Sequence, residues 1–125
     1  MPVFLTTEQV ERLHRRSLDL YGGQDGLRDR PLFEGSVAQA QQVFVYEEAD
    51  VFGIAAAYCF HLAQAQAFVD GNKRTAVAAG LTFLNLNGIE TDRDISDRLY
   101  DAMIAIANRQ LSRQELADLL RELLG

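Results

Sequence analysis

The residues whose types and spacing could carry chemistry run together: Gln66, Phe68, Asp70, Gly71, Asn72, Lys73 and Arg74. Asp70 is a hard carboxylate of the kind that holds Mg²⁺. Lys73 and Arg74 are adjacent cations at what reads as the first turn of a helix. Cations there oppose the helix dipole and the free N–H groups, which favour acidic residues by ~0.3–1 kcal/mol each. A local rule broken in this way points to function. A phosphate on those N–H groups, with Lys73 and Arg74 closing on it, turns the conflict into a binding site. Gly71 suits such a site because it permits positive φ and lets backbone approach a ligand closely. Two plainer readings stand beside this one: Lys73 and Arg74 as a solvated pair, and Asp70 as no more than the N-cap of the helix that follows.

The elements that must position this stretch can be read from caps and periodicity. Behind it, Ala76, Val77, Ala79, Gly80, Leu81, Phe83, Leu84 and Leu86 cover nearly every face of a helix, which therefore belongs in the core and stops at Asn87-Gly88. Ahead of it, Val51 to about Gln66 is apolar and free of proline, a mostly buried helix, and Phe68 to Gly71 is the loop between the two. Thr6 with Gln9 makes a capping box for a first helix with a stripe of Val10, Leu13, Leu18 and Leu20, ending at Tyr21-Gly22-Gly23. After a polar loop, Asp29 and Pro31 start a second helix through about Gln42. Val43 to Tyr46 is β-branched and aromatic and reads as an extended or hairpin-like segment, and Glu47 to Asp50 as a solvated start to the third helix. A fifth helix runs from around Asp94–Ser96 to near Asn108, and a last one opens with the Ser112–Glu115 capping box. The expected fold is all-α: a compact single-domain bundle of about six helices over residues 1–125, with at most a short extended flap.

Composition narrows the function. The chain has 125 residues, enough for one domain, and a formal net charge of −6, which opposes non-specific binding to nucleic acid or anionic membrane. Any anion site must be local. The single cysteine, Cys59, sits in an apolar run, which excludes an intrachain disulfide framework and makes it a small buried apolar residue. No secretion signal or membrane span is recognisable, so the expectation is a soluble, cytoplasmic protein with neither nucleic-acid nor membrane partners.

Phe68-Val69-Asp70-Gly71-Asn72-Lys73-Arg74-Thr75 resembles the signature of the Fic/Doc family, and its Asn-Lys-Arg ending resembles the Doc branch, the death-on-curing toxins of toxin–antitoxin modules. Tyr21-Gly22-Gly23, Asp50-Val51-Phe52 and Leu81 to Gly88 extend the resemblance along the chain. The resemblance implies ATP with Mg²⁺ at the loop and helix start, and transfer of a phosphoryl group to a hydroxyl on elongation factor Tu; Fic members transfer a nucleotidyl group instead. Carried onto this chain, Asp70 holds the metal, Gly71 and Asn72 offer loop groups to phosphate oxygens, Lys73 and Arg74 neutralise phosphates, and Phe68 anchors the loop. Gln41 to Tyr46 matches the place of a target-docking flap, with Phe44, Val45 and Tyr46 as candidates to pair with an extended target segment. An antitoxin protein is the implied partner.

One position departs from the family pattern. The signature opens with a histidine, the proposed general base, usually followed by proline; here those positions are Gln66 and Ala67. Glutamine cannot take a proton at pH 7, and losing a general base costs ~10²–10⁴ in rate. Phosphoryl transfer draws most of its acceleration from positioning and charge neutralisation, so a weakened activity is still consistent with this site. His61 lies about 140° round its helix from Gln66 and is a poor substitute; His14 cannot be related to the site from spacing alone. The readings left open are a weakened Doc-like phosphotransferase toxin, a pseudoenzyme retaining nucleotide or antitoxin binding, and a Fic-type AMP transferase.

Overall fold

Five helices start on a side chain that accepts a backbone N–H: α1 (Thr7–Tyr21) on Thr6, α2 (Arg30–Glu47) on Asp29, α3 (Val51–Ala65) on Asp50, α5 (Arg93–Ala107) on Asp92 and α6 (Arg113–Leu124) on Ser112. Each cap satisfies a donor that the helix itself cannot. The remaining helix, α4 (Asn72–Leu86), starts on Gly71 with no side-chain cap. These elements come from a computed structural model describing residues 1–125. The all-α bundle expected from the sequence is what the chain forms, and the capping boxes at Thr6–Gln9 and Ser112–Glu115 are both present.

α3 is the centre of the bundle, with α2, α4 and α6 packed around it. Its Ile54, Ala55, Ala56, Ala57, Tyr58 and Cys59 are all buried, a run that leaves no face for water. Where α4 crosses it, Gly80 lies against Cys59 so closely that a Cβ on Gly80 would overlap the sulfur. The Cys59 thiol donates to the Ala76 carbonyl at 3.3 Å, and burial pushes its pKa up to about 12, so it behaves as the apolar filler its surroundings predict. Glycine inside a helix costs roughly 0.5–1 kcal/mol relative to alanine; here it permits the close α3–α4 approach that fixes where α4 begins.

Three expectations are corrected. Val43 to Tyr46 is helical, the last turn of α2. Its β-branched and aromatic types favour strand only weakly against tertiary packing, and here Phe33, Val37, Ala40 and Val43 form one buried helical stripe that Phe44 extends by packing edge-on against Phe4 at 5.7 Å. The backbone N–H groups of Phe44, Val45 and Tyr46 are therefore committed to a helix and the segment presents no extended edge, although the Val45 and Tyr46 side chains are exposed. The acidic run is exposed, as expected of a solvated segment, but only Asp50 starts α3, while Glu47 is the last residue of α2. Glu47 pairs with Arg113, and Asp50 caps α3 while taking both Nε and Nη2 of Arg121 at 2.9 Å, which ties α6 to the α2–α3 junction. The Arg121 guanidinium holds the Asp50 carboxyl below its ordinary pKa. Finally, Leu20 points to solvent, and the buried positions of α1 are Val10, His14 and Ser17.

Candidate functional site

The loop from α3 to α4 is held on every side. Gln66 ends α3 in the left-handed region (φ 51°, ψ 45°), which turns the chain so that Ala67 and Phe68 enter the core. The Asn72 amide then brackets Phe68, accepting from its N–H at 3.0 Å and donating to its carbonyl at 2.9 Å. The segment before α2 closes the other side: Leu27 and Phe68 form an antiparallel bridge, Arg28 N–H donates to the Ala67 carbonyl at 2.7 Å, and Val69 N–H to the Gly26 carbonyl at 2.9 Å. Gly26 is required at this contact, because its φ is +142° and a Cβ would stand 2.9 Å from Val69 Cγ2. The extended pairing in this fold thus lies beneath the loop rather than at residues 43–46.

Asp70 caps nothing. Its Oδ2 accepts the Gln24 N–H at 2.8 Å, and its Oδ1 has no partner in the protein, so the cap-only reading fails and this cleft-lining residue keeps one free carboxylate oxygen. Gly71 adopts φ 80°, ψ 13°, and the first bond of α4 runs from Thr75 N–H to Gly71 O at 2.9 Å. The N–H groups of Asn72, Lys73 and Arg74 find no acceptor in the protein. They are the free donors at the positive end of the helix dipole that an anion satisfies. The Asn72 side chain is spent on Phe68, so its contribution to an anion is its backbone N–H.

Arg74 is oriented by stacking. Its guanidinium carbon lies 4.1 Å from the ring centroid of Tyr21, at the end of α1, and 3.8 Å from that of Tyr100, on α5. Two aromatic rings thus hold the guanidinium in place, and none of its donors is spent on a carboxylate, which leaves them to a phosphate. The ion pairs of the molecule use Arg30, Arg98, Arg113 and Arg121, leaving Lys73 and Arg74 without a carboxylate partner. Tyr100→Leu is expected to weaken binding of tripolyphosphate by about 2- to 30-fold in calorimetry, the worth of one desolvated cation–π face. Tyr100→Phe should leave it unchanged; equal affinity in the leucine variant would remove the stack from the site.

A cleft of about 200 Å³ gathers these groups: Gln66, Asp70, Lys73 and Arg74, with Arg28 and Tyr100. Its lining carries Arg28, Lys73 and Arg74 against the single carboxylate of Asp70. A locally positive site thus sits in a chain of net charge −6. No cluster of three or more His, Cys, Asp or Glu side chains is present to cage a metal alone. One free carboxylate oxygen beside an anion site fits Mg²⁺, which binds through one or two carboxylates together with phosphate oxygens.

Of the residues singled out in the sequence, Gln66, Asp70, Gly71, Asn72, Lys73 and Arg74 line this one cleft. Phe44, Val45 and Tyr46 do not. His61 lines a separate cleft between α2 and α3 with Ser36, Gln39 and Gln64; burial, helped by Arg113, lowers its pKa. Sequence reading missed Arg28, Tyr21, Tyr100 and His14. His14 was legible as the one titratable residue in step with Val10 and Ser17 on the buried face of α1; Arg28 and Tyr100 carry no local signal.

The Fic/DOC family model matches residues 4–84 of the chain. The protein kinase Doc of Escherichia phage P1 is 34% identical over 122 residues, covering 97% of this chain and 95% of that protein. The toxin Doc of Mycolicibacterium smegmatis is 37% identical over 107 residues, covering 78% of this chain and 77% of that one. The matched family residues end inside α4, so Tyr100 reaches the cleft from beyond them.

Proposed function

The chain belongs to the Fic/DOC family, and from that membership we propose that it is a Doc-like toxin of a toxin–antitoxin module, an ATP-dependent phosphotransferase acting on a protein hydroxyl. The observation that carries this reading is the convergence of the uncapped α4 N-terminus, Lys73, Arg74, Arg28 and Asp70 on one cleft. The relatives named as a protein kinase and as a toxin support the reaction class and the biological role. Elongation factor Tu is the target that family resemblance implies.

In this reading the N–H groups of Asn72, Lys73 and Arg74 bind phosphate oxygens, and the three cations neutralise charge on the triphosphate. Asp70 Oδ1 would hold Mg²⁺, which when bound screens the negative charge of neighbouring phosphates. The target hydroxyl oxygen bonds to the γ-phosphorus as the bond from that phosphorus to the β–γ bridging oxygen breaks. The hydroxyl proton has to leave. Gln66, exposed at the cleft, can hydrogen-bond the hydroxyl through its amide but cannot accept its proton, so the proton passes to solvent and transfer is slow. The antitoxin is the implied regulator. A groove of about 250 Å³ beside Arg74, floored by Leu13, Leu20, Val77 and Leu81 and edged by Arg16, supports an apolar segment with an acidic residue as its inhibitory part.

Two observations favour a second reading, a pseudoenzyme that keeps nucleotide binding: neither histidine can serve as base, since His61 lies in another cleft and His14 is buried. Labelled ATP separates the readings. Incubation of the protein with elongation factor Tu is expected to move label from γ-³²P-ATP, and none from α-³²P-ATP. Label from the α position would instead mean AMP transfer. Nucleotide binding without label from either leaves the pseudoenzyme.

A further inference from the structure

His14 is 3% exposed, carries the only imidazole near the cleft, and takes no part in the chemistry described above. Its ring lies flat on Phe68, with centroids 3.7 Å apart and planes 11° from parallel. Its Nε2 stands 2.7 Å from the Asp70 carbonyl oxygen. That oxygen can only accept, so Nε2 carries the proton and donates. A Cβ on Gly71 would meet the imidazole at 3.4 Å, so the same ring also bounds the residue that caps α4. Phe68 in turn meets Phe33 edge-on at 5.0 Å, forming a column from α1 through the loop to α2.

Asp70 is thus fixed at two ends, its carboxylate by Gln24 and its carbonyl by His14. The peptide between Asp70 and Gly71 cannot rotate without breaking the His14 bond. That peptide's orientation decides whether Asp70 Oδ1 and the free N–H groups of α4 face the same cleft. We infer that His14 is a positioning residue of the phosphate site: it sets the Asp70–Gly71 peptide so that the cation-holding carboxylate and the anion-holding helix start converge. The inference rests on the nucleotide reading for its ligand, but its geometry stands on the contacts alone.

Two substitutions separate the donor from the ring. His14→Phe keeps the stack on Phe68 and removes the donor to Asp70. His14→Gln supplies an amide N–H at a reach comparable to Nε2 and loses the ring. Each is examined well below its own melting temperature for Mg²⁺·ATP affinity by calorimetry and for amide hydrogen exchange in the segment spanning residues 66–74. His14→Phe is expected to bind Mg²⁺·ATP about 10- to 100-fold more weakly, the effect of leaving the part-buried Asp70 carbonyl unpaired and its peptide free to turn. Its loop amides should exchange faster while those of α3 and α6 stay as in the wild type. His14→Gln should recover most of the affinity and of the loop protection. Wild-type affinity and loop protection in His14→Phe would overturn the inference and, with a loss in His14→Gln, would assign His14 to packing alone; an equal loss in both would also overturn it, because a restored donor would then restore nothing. If the unaltered protein binds no Mg²⁺·ATP, the nucleotide reading fails and the exchange of residues 66–74 alone decides the role of His14.

Discussion

Replacing Gln66 with histidine is expected to raise phosphoryl transfer to the protein acceptor by about 10²–10⁴-fold, the range that a positioned general base contributes. In the proposed reaction the cations lining the cleft neutralise charge, and the component the site lacks is a group that accepts the hydroxyl proton at pH 7. Position 66 is well suited to the exchange. It lies in the left-handed region, which histidine visits more readily than most residues, and its side chain is exposed, so stability should change by no more than about 0.5 kcal/mol. The expected gain is in kcat, since the amide already supplies a hydrogen bond to the bound hydroxyl. A steady-state comparison with Gln66→Asn controls for side-chain size. A gain of less than tenfold would show that proton acceptance at position 66 does not limit the reaction.

The second large effect is on metal-dependent binding. Asp70→Asn is expected to weaken Mg²⁺·ATP binding by at least about 100-fold, beyond the 10- to 100-fold typical of residues that only support a metal ligand. ATP in the presence of a chelator should bind the variant no worse than it binds the wild type. Asparagine retains an oxygen for the Gln24 N–H, so the loop keeps its anchor while the charge disappears. The carboxylate also sits beside Arg28, Lys73 and Arg74, and removing it raises the positive potential facing free ATP. Calorimetry with and without Mg²⁺ reads both arms. An equal loss in the two would place Asp70 in the scaffold of the loop rather than at the metal.

What the sequence made legible was chemistry confined to neighbouring residues. Thr6 with Gln9, Asp29 with Pro31, and Ser112 with Glu115 are complete local statements, and each helix starts where they put it. The misplaced cations of Lys73 and Arg74 pointed to an anion site for the same reason, since dipole and charge meet within one turn. Residues 43–46 were misread because their types describe a preference that packing against Phe4 and the core overrides. The supporting shell was beyond reach. His14 meets Asp70 across 56 positions and Arg28 meets Val69 across 41, and no local pattern encodes such pairings. The double use of Asn72, amide to Phe68 and N–H to the cleft, likewise emerges only once the loop is folded.

The clasp of Tyr21 and Tyr100 on Arg74 bears on when during its synthesis the protein acquires its site. Tyr21 and Arg74 lie on α1 and α4, but the second ring arrives only with α5, so a growing chain that ends before Tyr100 has one ring alone against Arg74. The anion site is therefore complete only once α5 has joined α1 and α4.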